Sequence, residues 1–226
     1  MNCSIVIFPG SNCDKDIANC LEAITSKKPK LIWYQDKIPE KSDLIVLPGG
    51  FSFGDYLRSG AIASKSKIMK SIKEFSNKGV PIIGICNGFQ ILTESGLLPG
   101  TLVVNNSLKF VCRNVNLLVS NDQSYFTNKF VLNDMVKLPI AHKMGNYQID
   151  DEGLKYLINE NKIAFRYCSS EQICNDIGNP NGSIYNIAGI LGRKNKILGM
   201  MPHPERFYGN KNKDLVIKKI LNSMEL

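Results

Sequence analysis

Val80-Pro81-Ile82-Ile83-Gly84-Ile85-Cys86-Asn87-Gly88-Phe89-Gln90-Ile91-Leu92-Thr93-Glu94 joins a continuously apolar run to a helical stretch across a single cysteine. An uninterrupted apolar run of this length reads as a strand covered on both faces, with Pro81 tolerated only at its beginning. The residues after Gly88 read as a helix. Gly84 and Gly88 bracket Cys86 in the G-x-nucleophile-x-G pattern, which requires this strand–turn–helix context. The glycines remove side chains where the flanks of a sharp turn approach each other. Such a turn presents the sulfur at the carboxyl end of a sheet, beside the first turn of a helix whose amides favour a thiolate. It also aims the Asn87 amide at a bound carbonyl oxygen. A cysteine in a strand-to-helix turn is also a small buried hydrophobe, so the pentapeptide alone leaves both readings open.

The first half of the chain alternates short apolar runs with amphipathic stretches. Ile5 to Phe8, Leu31 to Tyr34 and Leu44 to Leu47 read as strands. Ile17, Leu21 and Ile24 mark one helix with Asp14 as its cap, and Ile68, Ile72 and Phe75 mark another closed by Asn77-Lys78-Gly79. This alternation predicts an α/β fold: a mostly parallel central sheet flanked by helices. In the second half, strands are expected at Leu102 to Val104, Val111 to Val119, Ile163 to Tyr167, Ile184 to Leu191 and Ile197 to Met200. Several connections there are too short for a helix, which predicts an antiparallel extension. Val216, Ile217, Ile220, Leu221 and Met224 outline a terminal amphipathic helix. With no repeat, low-complexity tract or linker, residues 1–226 are expected to form a single domain.

Composition narrows the function classes. The net charge of +8 comes mainly from scattered lysines, without an arginine-rich block, so no nucleic-acid partner is expected. No apolar run approaches the length of a membrane span and no secretory n-region is present, which predicts a cytoplasmic location and no membrane partner. Seven cysteines without a CxxC, and only two histidines, argue against a disulfide scaffold and against a metal site.

A thiolate performing acyl transfer needs an oriented base. Met201-Pro202-His203-Pro204-Glu205-Arg206 follows the last apolar run. In an extended, proline-flanked segment, His203 and Glu205 point to the same side, so the carboxylate can hold one imidazole nitrogen while the other faces Cys86. Pro48-Gly49-Gly50-Phe51 ends another strand of the same sheet, and its glycine amides are placed to supply a second oxyanion donor opposite Asn87.

These motifs resemble the class I, triad-type glutamine amidotransferases, and within them the glutaminase subunits of phosphoribosylformylglycinamidine synthases. The general pattern lies in Pro48-Gly49-Gly50, in Gly84 through Gln90 and in His203-Pro204-Glu205. The purine-pathway branch is carried by Gly54-Asp55-Tyr56-Leu57-Arg58-Ser59-Gly60-Ala61, by Asn105-Asn106-Ser107-Leu108-Lys109-Phe110, and by Asn179 through Ile190. The resemblance spans Ile5 to Arg206. It implies a glutaminase with Cys86 as nucleophile, His203 as proton carrier and Glu205 as its orienter. The Gly50 and Asn87 amides would form the oxyanion hole, and Gln90 would help hold L-glutamine.

The resemblance further implies no cofactor or metal in this chain. ATP and Mg2+ would belong to a large synthetase subunit that receives the ammonia, with a small bridging subunit completing the assembly. Two positions depart from the family pattern. His142-Lys143-Met144-Gly145 stands where members usually have His-Gly-Glu-Gly, and Lys109 replaces an arginine that can make a planar two-pronged contact. One alternative is a class I glutaminase serving another biosynthetic synthetase. An alpha/beta-hydrolase would place its acid before its histidine, opposite to the order here. A related chaperone and protease branch usually has histidine directly after the cysteine, where this chain has Asn87. A non-enzymatic scaffold is expected to leave the thiol inert toward glutamine analogues.

Overall fold

The computed structural model describes residues 1–207 and 216–224. Its strands are β1 (Cys3–Ile7), β2 (Lys30–Trp33), β3 (Leu44–Leu47), β4 (Ile82–Ile85), β5 (Thr101–Val103), β6 (Val111–Val119), β7 (Met135–His142), β8 (Asn146–Gln148), β9 (Ile163–Cys168), β10 (Ile187–Leu191) and β11 (Ile197–Met200). Its helices are α1 (Asp14–Thr25), α2 (Ala61–Ser64), α3 (Lys67–Asn77), α4 (Asn87–Glu94), α5 (Asp151–Asn159) and α6 (Val216–Ser223).

Nine strands form one sheet in the order β2-β1-β3-β4-β11-β10-β9-β6-β7. Pairing is parallel from β2 to β11 and antiparallel from β11 to β7. The expected parallel sheet with an antiparallel extension is therefore present, and β11 belongs to both halves. The register brings the strand ends level: Gly84 pairs with Leu47 on one side and Gly199 on the other, and Met200 pairs with Ile85. Chain segments leaving β1, β3, β4 and β11 thus emerge side by side on one edge, where ligands of such sheets bind. Every residue of β3, β4 and β11 is buried, in keeping with their unbroken apolar sequences.

Several local expectations change. Asp14 is the first residue of α1 rather than its cap; Cys13 holds the N-cap position, and Asp14 Oδ1 accepts from the adjacent Lys15 amide. Leu102 lies in a separate two-stranded sheet with β8, not in the central one. Ile184–Asn186 is a 3-10 turn ahead of β10. Strands β7 and β8 and helix α5 are elements that the sequence pattern does not predict. In β7, Lys137 and Pro139 interrupt the apolar pattern, yet the strand pairs with β6 along its whole length. Helix α5 is capped by Asp150 Oδ1, which accepts from the Gly153 amide at 2.7 Å. No helix among the described residues is long and apolar enough to cross a membrane.

Candidate active site

Cys86 sits between β4 and α4 with φ 50° and ψ −104°, a conformation that L residues rarely adopt. Strain of this kind costs about 1–3 kcal/mol and persists only where the surroundings enforce it. Those surroundings are explicit. The Cys86 amide donates to Met200 O on β11 at 2.8 Å, and Gln90 N closes the first turn of α4 on Cys86 O at 3.2 Å. A side chain at Gly88 would run into the Leu47 carbonyl, and one at Gly84 would meet Gly88 at 2.7 Å. The two glycines are needed because β3, β4 and α4 approach backbone to backbone at the elbow.

His203 leaves the end of β11 and is anchored by its own amide, which donates to Pro139 O on β7 at 2.9 Å. Its Nδ1 lies 2.7 Å from Glu205 Oε1, and both side chains are buried. The expected pairing is present, but its geometric reason differs: Pro204–Phe207 is a 3-10 turn, so a turn rather than an extended chain brings the carboxylate to the ring. Burial opposes the imidazolium, but the negative charges of Cys86 and Glu205 outweigh it and raise the His203 pKa well above its ordinary value.

Gly49 shows how closely these groups converge. A methyl on its Cα would lie 2.8 Å from His203 Cε1, 3.2 Å from Cys13 Sγ and 3.4 Å from Cys86 Cβ. Cys13 is the unexpected member of this set. The Cys13 amide donates to Gly49 O at 3.2 Å, and Arg206 Nη2 donates to its sulfur at 3.1 Å. Its position just beyond the β1 turn at Pro9-Gly10 was the available signal, since that segment leaves the same sheet edge as Cys86.

A cavity of about 360 Å³ opens over Cys86, lined among others by Gly50, Asp55, Gln90, His142, Lys143 and Met144. Cys86 Sγ lies 3.8 Å from Ala141 O on its wall. The sequence-derived residues Gly50 and Gln90 are thus brought to the cysteine. Asn87 starts α4, and its side chain donates to Gln90 Oε1 at 2.9 Å and accepts from Ser52 N at 3.1 Å. Gln90 Nε2 donates to Met144 O at 2.5 Å. Asp55 brings a carboxylate into the cavity lining, with its pKa raised by burial against hydrogen bonds from Ser59 and Asn87.

The second imidazole has a different character. Asn105 Nδ2 donates to the Lys109 and His142 carbonyls, both at 3.0 Å, and its Oδ1 accepts from Gly145 N at 3.0 Å. The amide orientation is therefore determined, and the 3.2 Å contact between this Oδ1 and His142 Nδ1 makes Nδ1 the protonated nitrogen. Burial, then the charge on His203, lower the His142 pKa to about 4. His142 is neutral and held, unsuited to replacing His203 as proton carrier.

The motifs that carried the finer resemblance surround this wall. Asn105 N donates to Lys143 O, Asn181 Nδ2 to Gly145 O, and Asn146 Nδ2 to Asn106 Oδ1. Asp55 and Ser59 of the 54–61 stretch line the cavity directly. Both departures fall where the contacts run through the backbone: Gln90 binds the Met144 carbonyl and Asn105 the Lys109 carbonyl. Any residue supplies those oxygens. Met144 adds a side-chain contact of its own, accepting from Ser59 Oγ at 3.3 Å.

A thiol on a strained elbow beside a carboxylate-held imidazole is equipment for acyl transfer through a covalent intermediate, here on the sheet architecture of an amidotransferase. The family model of the CobB/CobQ-like glutamine amidotransferase domain matches residues 1–224, and the chain belongs to that family. It is 47% identical over 206 residues to phosphoribosylformylglycinamidine synthase subunit PurQ of Rhodospirillum rubrum, covering 91% of this chain and 90% of the relative. It is also 47% identical over 206 residues to the PurQ subunit of Aquifex aeolicus, covering 91% of each. Among solved structures it superposes on a chain of PurLQS from Thermotoga maritima with a TM-score of 0.83 and 39% identity, covering 99% of this chain and 97% of that one.

Proposed function

We propose that the chain hydrolyses L-glutamine to glutamate and delivers the ammonia to a separate synthetase that makes phosphoribosylformylglycinamidine from the formylglycinamide ribonucleotide in purine biosynthesis. The observation that carries this reading is the convergence of the Cys86 elbow and the buried His203–Glu205 pair around Gly49, in a chain nearly half identical to PurQ subunits.

In this reading the Cys86 sulfur adds to the side-chain carboxamide carbon. The oxyanion is held between the Gly50 and Asn87 amides, while Gln90 orients the substrate. His203 gives its proton to the departing nitrogen, releasing ammonia and leaving a thioester on Cys86. The neutral ring, held by Glu205, then takes a proton from water as that water attacks the thioester, and glutamate leaves. ATP and Mg2+ act on the synthetase, with a small bridging subunit completing the assembly. The chain works as one cytoplasmic domain. Leu57 is 94% exposed, and Tyr56, Leu108 and Phe110 are exposed beside cavity-lining segments, an apolar surface suited to a protein partner.

The test is Cys86→Ala, assayed in complex with synthetase, ATP and acceptor. Glutamine-dependent synthesis is expected to disappear while synthesis from ammonium salt persists, because only the acyl acceptor is removed. Near-normal glutamate release by C86A overturns the proposal.

A further inference from the structure

The proposed reaction leaves Cys13 without a role, although its sulfur lies against the imidazole that does the proton transfer. One ligand atom each from Cys13, His203 and Glu205 lie within 4.8 Å of one another, and all three residues are buried. Glu205 Oε2 is buried with no hydrogen-bond partner, while Oε1 lies 2.7 Å from His203 Nδ1, the ring nitrogen on the Glu205 side. We propose that Cys13, His203 and Glu205 form an inhibitory binding site for a zinc ion.

The donor set is the first reason. Thiolate, imidazole and carboxylate are the three side chains zinc selects, at about 2.0–2.3 Å each, and the present spacing closes onto such an ion with small side-chain movements. The second reason is the unsatisfied Glu205 oxygen, which a cation would engage at little further desolvation, since the carboxylate is already buried. The third is Arg206. Its guanidinium donates to Cys13 Sγ, yet the residue as a whole is exposed, so the arginine can swing into water and open a path to the sulfur. While it is in place, it also satisfies a sulfur that has no metal. Cys13 and His203 come from opposite ends of the chain, which is why no spacing motif announces the site.

A bound ion would occupy the His203 lone pair or pull the ring away from Cys86, and hydrolysis would stop. That consequence rests on the proposed role of His203; the binding itself does not, so the two are measured separately.

Binding is read on the C86A chain, stripped with chelator and loaded with zinc chloride. X-ray absorption is expected to show one sulfur with nitrogen and oxygen neighbours, and adding Cys13→Ser, which removes a direct ligand, is expected to weaken zinc binding by about 100-fold or more, at least the loss that an outer-shell partner carries. A zinc shell with no sulfur or with two overturns the assignment, and this count decides even if the double variant does not fold. Inhibition is read on the complete glutaminase–synthetase complex. Zinc is expected to suppress glutamate release reversibly to EDTA, with C13S needing about tenfold or more zinc for the same effect. Equal sensitivity of wild type and C13S would mean that zinc binds Cys86 alone, and the inhibitory role falls.

Discussion

His203 and Glu205 lie two positions apart in sequence, and the 3-10 turn between them places a carboxylate against the ring nitrogen that faces away from the reaction. The imidazole moves the proton, whereas the carboxylate orients and polarises it. His203→Ala is therefore expected to lower kcat by about 10²–10⁴-fold, the usual worth of a positioned acid–base group, with Glu205→Gln distinctly milder. Steady-state kinetics on the complex measures both, and H203A close to wild type would contradict the assignment. His142 titrates in the other direction. With a folded pKa of about 4 against an ordinary 6.5, the unfolded chain binds the extra proton first as pH falls, so stability present above pH 6.5 drains away toward pH 4. The span corresponds to roughly 3 kcal/mol. Urea unfolding at several pH values should show a flatter acid limb for His142→Asn, whose amide can still donate to Asn105. An unchanged slope would remove His142 as the source.

Elements meet most tightly where β3, β4 and α4 enclose the elbow. A methyl at Gly88 would meet the Leu47 carbonyl and the Leu47 Cβ, and backbone within a sheet yields little. Gly88→Ala is expected to cost about 3 kcal/mol or more, read as a fall in Tm of about 6 °C or more, together with loss of glutaminase activity. A stable, active G88A would show that the elbow tolerates distortion. This tight region is also where the sequence was most legible. Unbroken apolar runs mark β3, β4 and β11, and the turn residues after each of them mark the site's edge. Strand β7 was not legible because its stability comes from pairing with β6 across a distant register, which periodicity over a short window cannot report. Cys13 escaped because its one signal, a place just beyond the turn after β1, names no chemistry until the fold brings the sulfur to His203. The asparagine-rich stretches were recognisable as motifs, but their physical work, bracing the His142–Gly145 wall, needed the tertiary contacts.

For the whole molecule, the exposed apolar residues Leu57 and Phe110 lie in segments that also line the cavity, so the cavity and the proposed partner surface adjoin. Segment 51–60 connects them: Phe53, Asp55 and Leu57 all have positive φ, and the bidentate Arg58–Glu94 pair at 2.7 Å ties it to α4. A partner resting on this segment can favour the arrangement in which the Gly50 amide serves the oxyanion, and a misplaced donor costs about 10²–10³-fold. Glutamate release is accordingly expected to rise about tenfold or more on titration with synthetase, bridging subunit, ATP and acceptor, equivalent to about 1.4 kcal/mol of barrier. Equal rates in every condition would contradict this coupling. All of this chemistry requires that Cys86, not the neighbouring Cys13, takes the acyl group. Mass-spectrometric mapping of a glutamine-analogue electrophile decides between the two thiols: one adduct per chain is expected, on the peptide containing Cys86 and absent from C86A, whereas an adduct on Cys13 would make Cys13 the acyl acceptor.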